Sequence, residues 1–391
     1  MSSTQPQPQT FPYLRWQYTM DPAYPINSTA ISADGGRCVA ATFQGAYGTS
    51  PPPSTDYYCV NCWDSTGKLL WSDKFQAFEG PFACAISADG SVAAAGGWMK
   101  TGQGYTTVYN AATGAKLVTY TFDHRVNTLA LSANGTVLAI GENDVHLAQQ
   151  TNGVFPTAPK AAGLTGVVIE SVALPGTGSF LVAGDDSSNV YLFENRDGAP
   201  LNYGTWAGKS ENMGVVHSVG VNADGSWFVA IGDSTSVYLF DLSSIKGKTY
   251  AATLNLKSSD RLRWVTISAD GSFIATVGNV EKGGSVYAIN NDNGGLSLLW
   301  NQPASTTDNP NCVSTDAAGK YVVVATGYTP IETGGVFYLF NAASGDLLWQ
   351  YASPMMAWPC FISADGSGIM AGNDAGIAYY FTPEAPSEAK H

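Results

Sequence analysis

Apolar and polar positions along this chain recur in one cycle. An apolar run leads into a small-residue turn, and a second apolar run follows. Then come a loop of variable length, a run with an aromatic centre, a second turn and a last short run. The first turn is the clearest mark. It reads Ile31-Ser32-Ala33-Asp34-Gly35 and returns around Gly90, Gly135, Gly225, Gly271 and Gly366, with degenerate copies ending at Gly178 and Gly319. Successive turn glycines are 55, 45, 43, 47, 46, 48 and 47 residues apart. A steady period in this range marks a repeat architecture. Asp-Gly and Asn-Gly close tight hairpins, because glycine accepts a positive φ that branched residues resist. The third run carries aromatics, as in Val190-Tyr191-Leu192-Phe193 and Val237-Tyr238-Leu239-Phe240, and the fourth is clearest at Thr66-Gly67-Lys68-Leu69-Leu70-Trp71. No long stretch shows the 3.6-residue period of an amphipathic helix.

Each unit therefore predicts four antiparallel strands, the make-up of a β-propeller blade. The ends of the chain complete the count. Leu14-Arg15-Trp16-Gln17-Tyr18 matches the fourth run of the seventh unit, Leu348-Trp349-Gln350-Tyr351, while the eighth unit, about Trp358 to Phe381, holds only three runs. The sequence thus predicts an all-β, eight-bladed β-propeller of four-stranded antiparallel blades, its last blade closed by the N-terminal strand. One domain is expected over 11–382, with disordered polar tails at 1–10 and 383–391.

The Gly-x-Leu-Leu-Trp endings at Trp71 and Trp349, and more loosely at Trp300, resemble the tryptophan motif of quinoprotein-like repeats. The Ser-Ala-Asp-Gly hairpins resemble those of WD40-like propellers. The resemblance spans nearly the whole chain and implies architecture. Quinoprotein dehydrogenases hold their cofactor with a vicinal cysteine disulfide and a calcium ion, whereas no two cysteines here are adjacent. No cofactor is therefore expected. The Trp-Asp dipeptide occurs once, at Trp63-Asp64.

Composition narrows the partners. The formal net charge is −13 and charged residues make up 13% of the chain, about half the usual share. No basic cluster is visible, which argues against nucleic acid and anionic membrane. No apolar run reaches spanning length. The N-terminus lacks the charged and apolar regions of a signal peptide, which favours a cytoplasmic location. A monomer is expected. Cys59 and Cys62 form a C-x-x-C within a strand-like run, where residues three apart face opposite sides, so neither a zinc nor a redox site is expected. Cys84, Cys312 and Cys360 read as small buried apolar residues.

The repeat also locates a candidate site. Eight positions before each turn glycine stand Asn27, Phe82, Asn127, Glu170, His217, Arg263, Asn311 and Trp358. Neighbouring repeat positions conserve their character from unit to unit, and this one varies among chemically capable side chains. It should ring one mouth of the central channel. A second ring follows the second run: Trp98, Glu142, Asp185, Asp233, Asn279, Tyr328 and Asn373. Its acids either face a ligand or cap their own loops. Glu170, His217 and Arg263, with Asp185 and Asp233 nearby, read as an acid–base set, His217 being the natural general base. The same residues equally describe a polar plug that orders the blades. His124 and His146 read as surface or packing residues. Insertions at Gln44–Thr55 and around Trp98-Met99, Glu281-Lys282 and Tyr328-Thr329-Pro330 would widen the same face. The expected function is binding of a small molecule or protein partner at the channel mouth. The alternative is a cofactor-independent lyase, isomerase, cyclase or hydrolase acting there.

Overall fold

The recurrent Ser-x-Asp-Gly stretch folds as a self-bonded hairpin. The serine Oγ donates to the aspartate Oδ1 at 2.6–2.7 Å in Ser32–Asp34, Ser87–Asp89, Ser268–Asp270 and Ser363–Asp365. It also accepts the backbone N–H five residues on, as Ser268 does from Phe273 at 2.9 Å. The aspartate accepts the N–H two residues on, so three turn donors are satisfied before any strand pairs. The turn glycines sit at φ between +62° and +78°, the left-handed region in which a side chain costs about 1 kcal/mol or more.

The computed structural model describes residues 11–43, 57–76, 78–99, 102–256, 260–279, 283–305, 309–327 and 334–385. They build eight four-stranded antiparallel sheets arranged as propeller blades. The innermost strand of blade 1 is Ile26–Ile31, and its outermost is Leu69–Gln76. Blade 8 takes three strands from the C-terminal end, and its outer strand is Leu14–Thr19, paired with Ile377–Phe381. The N-terminal strand closes the ring as the sequence requires and covers the last free edge. Of the expected tails, 1–10 and 386–391 lie outside the described residues. Glu384 is described and accepts the Tyr321 hydroxyl at 3.0 Å.

The hairpins meet at the axis. The backbone N–H of each donates to a carbonyl of the next, from Ala33 to Ala88, from Asp89 to Ala133, and onward to Ala364, and Asp365 returns to Ala33. The eight bonds, 2.9–3.0 Å long, form a closed hoop around the channel. The opposite channel mouth is formed by the start of each innermost strand and the end of the second, as the pairing Ile26↔Thr42 illustrates.

A second contact joins blades at their rims. Trp16, Trp71 and Trp300 in outer strands donate their indole N–H to Ser65, Ala111 and Ala342 in the next blade's second turn, at 3.2, 2.8 and 2.7 Å. Each ring lies flat against the glycine of that turn. A Cβ on Gly114 would stand 2.7 Å from Trp71 Cγ. Blade 8 has no such turn, and the Trp349 ring is covered instead by Phe11 and Tyr13. Between blades the core is aliphatic and aromatic. Phe337, Tyr379 and Phe381 are fully buried at the seam, each such burial worth about 1.5–3 kcal/mol.

Cys59 and Cys62 lie in separate core clusters on opposite faces of their strand. All six cysteines are buried free thiols, and burial pushes Cys62 up to about 12. Blade 5 departs from the pattern: a one-turn helix, Leu242–Lys246, replaces its second turn and is capped by Asp241. Among the described residues no helix is long and apolar enough to cross a membrane.

Candidate functional site

The variable ring position turns out to be a bulge. Pairing of the two inner strands skips Asn27, Phe82, Glu170, Arg263 and Asn311, and in blade 8 it skips Trp358 with Pro359. Asn127 and His217 stand directly before their strands. A bulged residue is left out of the ladder, and its side chain is re-aimed. Bulges recurring at one place explain why the position is free of the apolar rule obeyed on either side.

These side chains first bridge blades. Asn27 Nδ2 donates to the Phe82 carbonyl at 2.7 Å, and Asn127 Nδ2 to the Ile169 carbonyl at 3.1 Å. Asn311 Nδ2 donates to Gly327 within its own blade. Phe82 meets the Phe43 ring edge-on at 5.3 Å. Trp358 is half-buried.

His217, Asp233 and Arg263 are brought together across blades 5 and 6. His217 Nε2 lies 3.0 Å from Asp233 Oδ1 and 2.8 Å from Arg263 Nη1. Arg263 Nε donates to Asn279 Oδ1 at 3.3 Å. One imidazole nitrogen thus faces both an acceptor and a donor. Without a proton, Nε2 accepts from Arg263; with one, it donates to Asp233. Burial lowers the His217 pKa from its ordinary value, the hydrogen bond of Asp233 opposes, and the Arg263 charge lowers it further. In the tautomer protonated at Nδ1, the neutral ring accepts from Arg263. Burial acts to raise the Asp233 carboxyl, but His217 and the Val215 N–H outweigh it and hold it below the ordinary range.

Glu170 stands apart from this cluster. Burial raises its carboxyl, the Arg125 charge partly offsets that, and Asp186 adds to it. Arg125 is the residue that the repeat alignment missed, because it sits in the connection before the ring position. Its guanidinium carbon lies 4.6 Å from the Phe82 ring centre and 5.5 Å from that of Trp98. Its Nε donates to Asn127 Oδ1 at 2.6 Å.

The second ring divides. Asp185 is fully buried and accepts from the Ser187 and Asn189 N–H groups, the Asn189 amide and the Tyr191 hydroxyl. Its loop uses its acceptors. Asn373 is likewise held by Ser353, Tyr379 and the Ile377 N–H. Glu142 pairs with His146 Nε2 at 2.9 Å, so His146, expected only to pack or to face solvent, holds an acid of the second ring. Burial would raise the Glu142 carboxyl, and the His146 hydrogen bond outweighs it. Trp98 Nε1 is buried without an acceptor among the described residues. Next to Asn373, burial pushes the Asp374 carboxyl up to about 6. Tyr328, like the insertions at 44–55, 281–282 and 329–330, lies outside the described residues. Among the described residues no cluster of three metal-ligating side chains occurs.

The fold and its bulged polar mouth define an eight-bladed propeller with arginine-bearing chemistry at one face. A family model described as Lactonase, 7-bladed beta-propeller, matches residues 219–340. That is less than a third of the chain, from the first strand of blade 5 into the third strand of blade 7, and the count of blades differs. No curated protein matches the chain.

Proposed function

We propose that this is a ligand-binding propeller that takes a small organic anion at the channel mouth. One observation carries the reading. Arg125 and Arg263 are half-buried there, held by Asn127, His217 and Asn279, and neither forms a salt bridge among the described residues. In a protein of net charge −13, two guanidinium groups kept from direct ion pairing make a local attraction for anions. The hairpin aspartates lie at the other end of the channel.

Calorimetry with small carboxylates and their neutral amides tests this. Carboxylates should bind wild type, amides should bind at least about tenfold more weakly, and Arg263→Gln should narrow the gap. Equal binding of both series, or none, would sink the proposal.

A second reading is hydrolysis of a cyclic ester in the same place. The family match and the His217 environment favour it. With Arg263 turned away from Nε2, neutral His217 would take a proton there from water as the water oxygen adds to the ester carbonyl, Arg263 facing the tetrahedral oxyanion and Asp233 accepting the imidazolium N–H. Collapse would break the ring C–O bond, and the Nε2 proton would pass to the leaving alkoxide to give the hydroxy acid. Lactone turnover followed by pH-stat, reduced at least about 100-fold in His217→Ala, is the expected result. Unchanged turnover in that variant would remove the reading.

A further inference from the structure

We infer that Arg125 forms a subsite for a flat, conjugated carboxylate, walled by Phe82 and Trp98. The inference rests on the organic-anion reading above and names the ligand class of its other half.

The argument begins with how the guanidinium is held. The Ile169 carbonyl accepts from Asn127 Nδ2 at 3.1 Å, which fixes the amide so that its Oδ1 faces Arg125 Nε at 2.6 Å. That bond and the two neighbouring rings fix where the guanidinium sits. The Phe82 and Trp98 rings lie against it, with the guanidinium carbon 4.6 and 5.5 Å from their centres. Nη1 and Nη2 have no acceptor among the described residues. Glu170 is close enough for the Arg125 charge to be felt, yet makes no ion pair with it.

A guanidinium oriented through Nε and left open at its terminal nitrogens suits a carboxylate, which accepts two parallel N–H bonds in the guanidinium plane. The plane then selects the rest of the ligand. A group conjugated with its carboxylate stays coplanar with it, so it extends the guanidinium layer alongside the aromatic wall. A branched aliphatic acid would lose that stacking.

Benzoate, benzamide and cyclohexanecarboxylate are the probes. Their dissociation constants would be measured calorimetrically on wild type, Arg125→Gln, Arg125→Lys and Arg263→Gln, with thermal melts confirming the fold. Wild type should prefer benzoate over benzamide by at least about tenfold and over cyclohexanecarboxylate by about threefold or more. Arg125→Gln should abolish the first preference. Arg125→Lys keeps the charge without the fork and should fall between the two. The subsite is overturned if Arg125→Gln keeps the benzoate preference. If that preference disappears in Arg263→Gln instead, the channel-mouth reading stands and only the Arg125 subsite falls. If wild type binds no carboxylate at tens of millimolar, both fall.

Discussion

The Trp71 indole N–H donates to the Ala111 carbonyl at 2.8 Å, across the boundary between blades 1 and 2. Trp349 occupies the same position at the rim of blade 7, is as deeply buried, and has no acceptor for its N–H among the described residues. The difference follows from topology. Blade 8 lacks the turn that would supply the carbonyl, because its outer strand comes from the other end of the chain. Trp71→Phe should therefore lose a hydrogen bond as well as volume, and Trp349→Phe only volume. With the cavity terms similar, Trp71→Phe is expected to cost about 1–2 kcal/mol more. Urea melts of the two variants check this, and equal losses would contradict the clasp.

Closure makes its own demand. Leu14–Thr19 pairs along Ile377–Phe381, and Phe11 and Tyr13 pack on Trp349. Deleting residues 1–19 would expose a full strand edge and the aromatic seam together. The expected outcome is a truncated chain that self-associates or melts without cooperativity, read by light scattering after gel filtration. A monomer with the wild-type melting temperature would show that the ring does not depend on the N-terminal strand.

Much of this fold was legible because the repeat is written in residues with local jobs. Ser32, Asp34 and Gly35 bond and bend their own turn, so the motif shows itself without tertiary context. Trp16 could be placed in blade 8 because it copies Trp349. The site was less legible. The position eight before each glycine was visible as a break in the apolar rule, while its cause, a bulge that ejects Arg263 or Glu170 from the ladder, is a pairing defect that composition does not encode. Arg125 was hidden because connections vary in length and carry no register. Blade order groups Glu170 with His217, whereas Arg125 is the cation whose charge acts on Glu170. The Glu142–His146 pair needed two strands in place before its spacing meant anything.

Asp374 should destabilise the folded protein at neutral pH. Burial alone pushes its carboxyl up to about 6, above the unfolded value near 3.9. The folded state therefore binds more protons between these values, and stability from this group falls as pH rises through about 4 to 6. Asp374→Asn should raise stability at pH 7 by on the order of 2 kcal/mol and change little near pH 3, where the carboxyl is protonated in both states. Denaturant titrations at the two pH values provide the measurement. A stabilisation of the same size at both would assign the effect to something other than charge.

His217 offers the sharpest electrostatic test, because its partners push in opposite directions. Burial lowers its pKa, Asp233 resists, and Arg263 lowers it again. The folded value thus lies below the unfolded value near 6.5. The unfolded state binds the proton first, so this residue favours folding above about pH 6.5, and that contribution is lost as pH falls toward the folded value. The chain has only four histidines, so a proton NMR titration can follow each ring, with His217→Gln giving the assignment. Arg263→Gln removes a repelling charge and should move the His217 midpoint up. Asp233→Asn removes the group that favours the imidazolium and should move it down. Opposite shifts in the two variants would establish that one nitrogen is shared between the acid and the guanidinium. Unmoved midpoints, or shifts in the same direction, would mean that the two groups do not act on Nε2 as opposed partners, and the switch of that nitrogen between Arg263 and Asp233 that the hydrolytic reading uses would lose its basis.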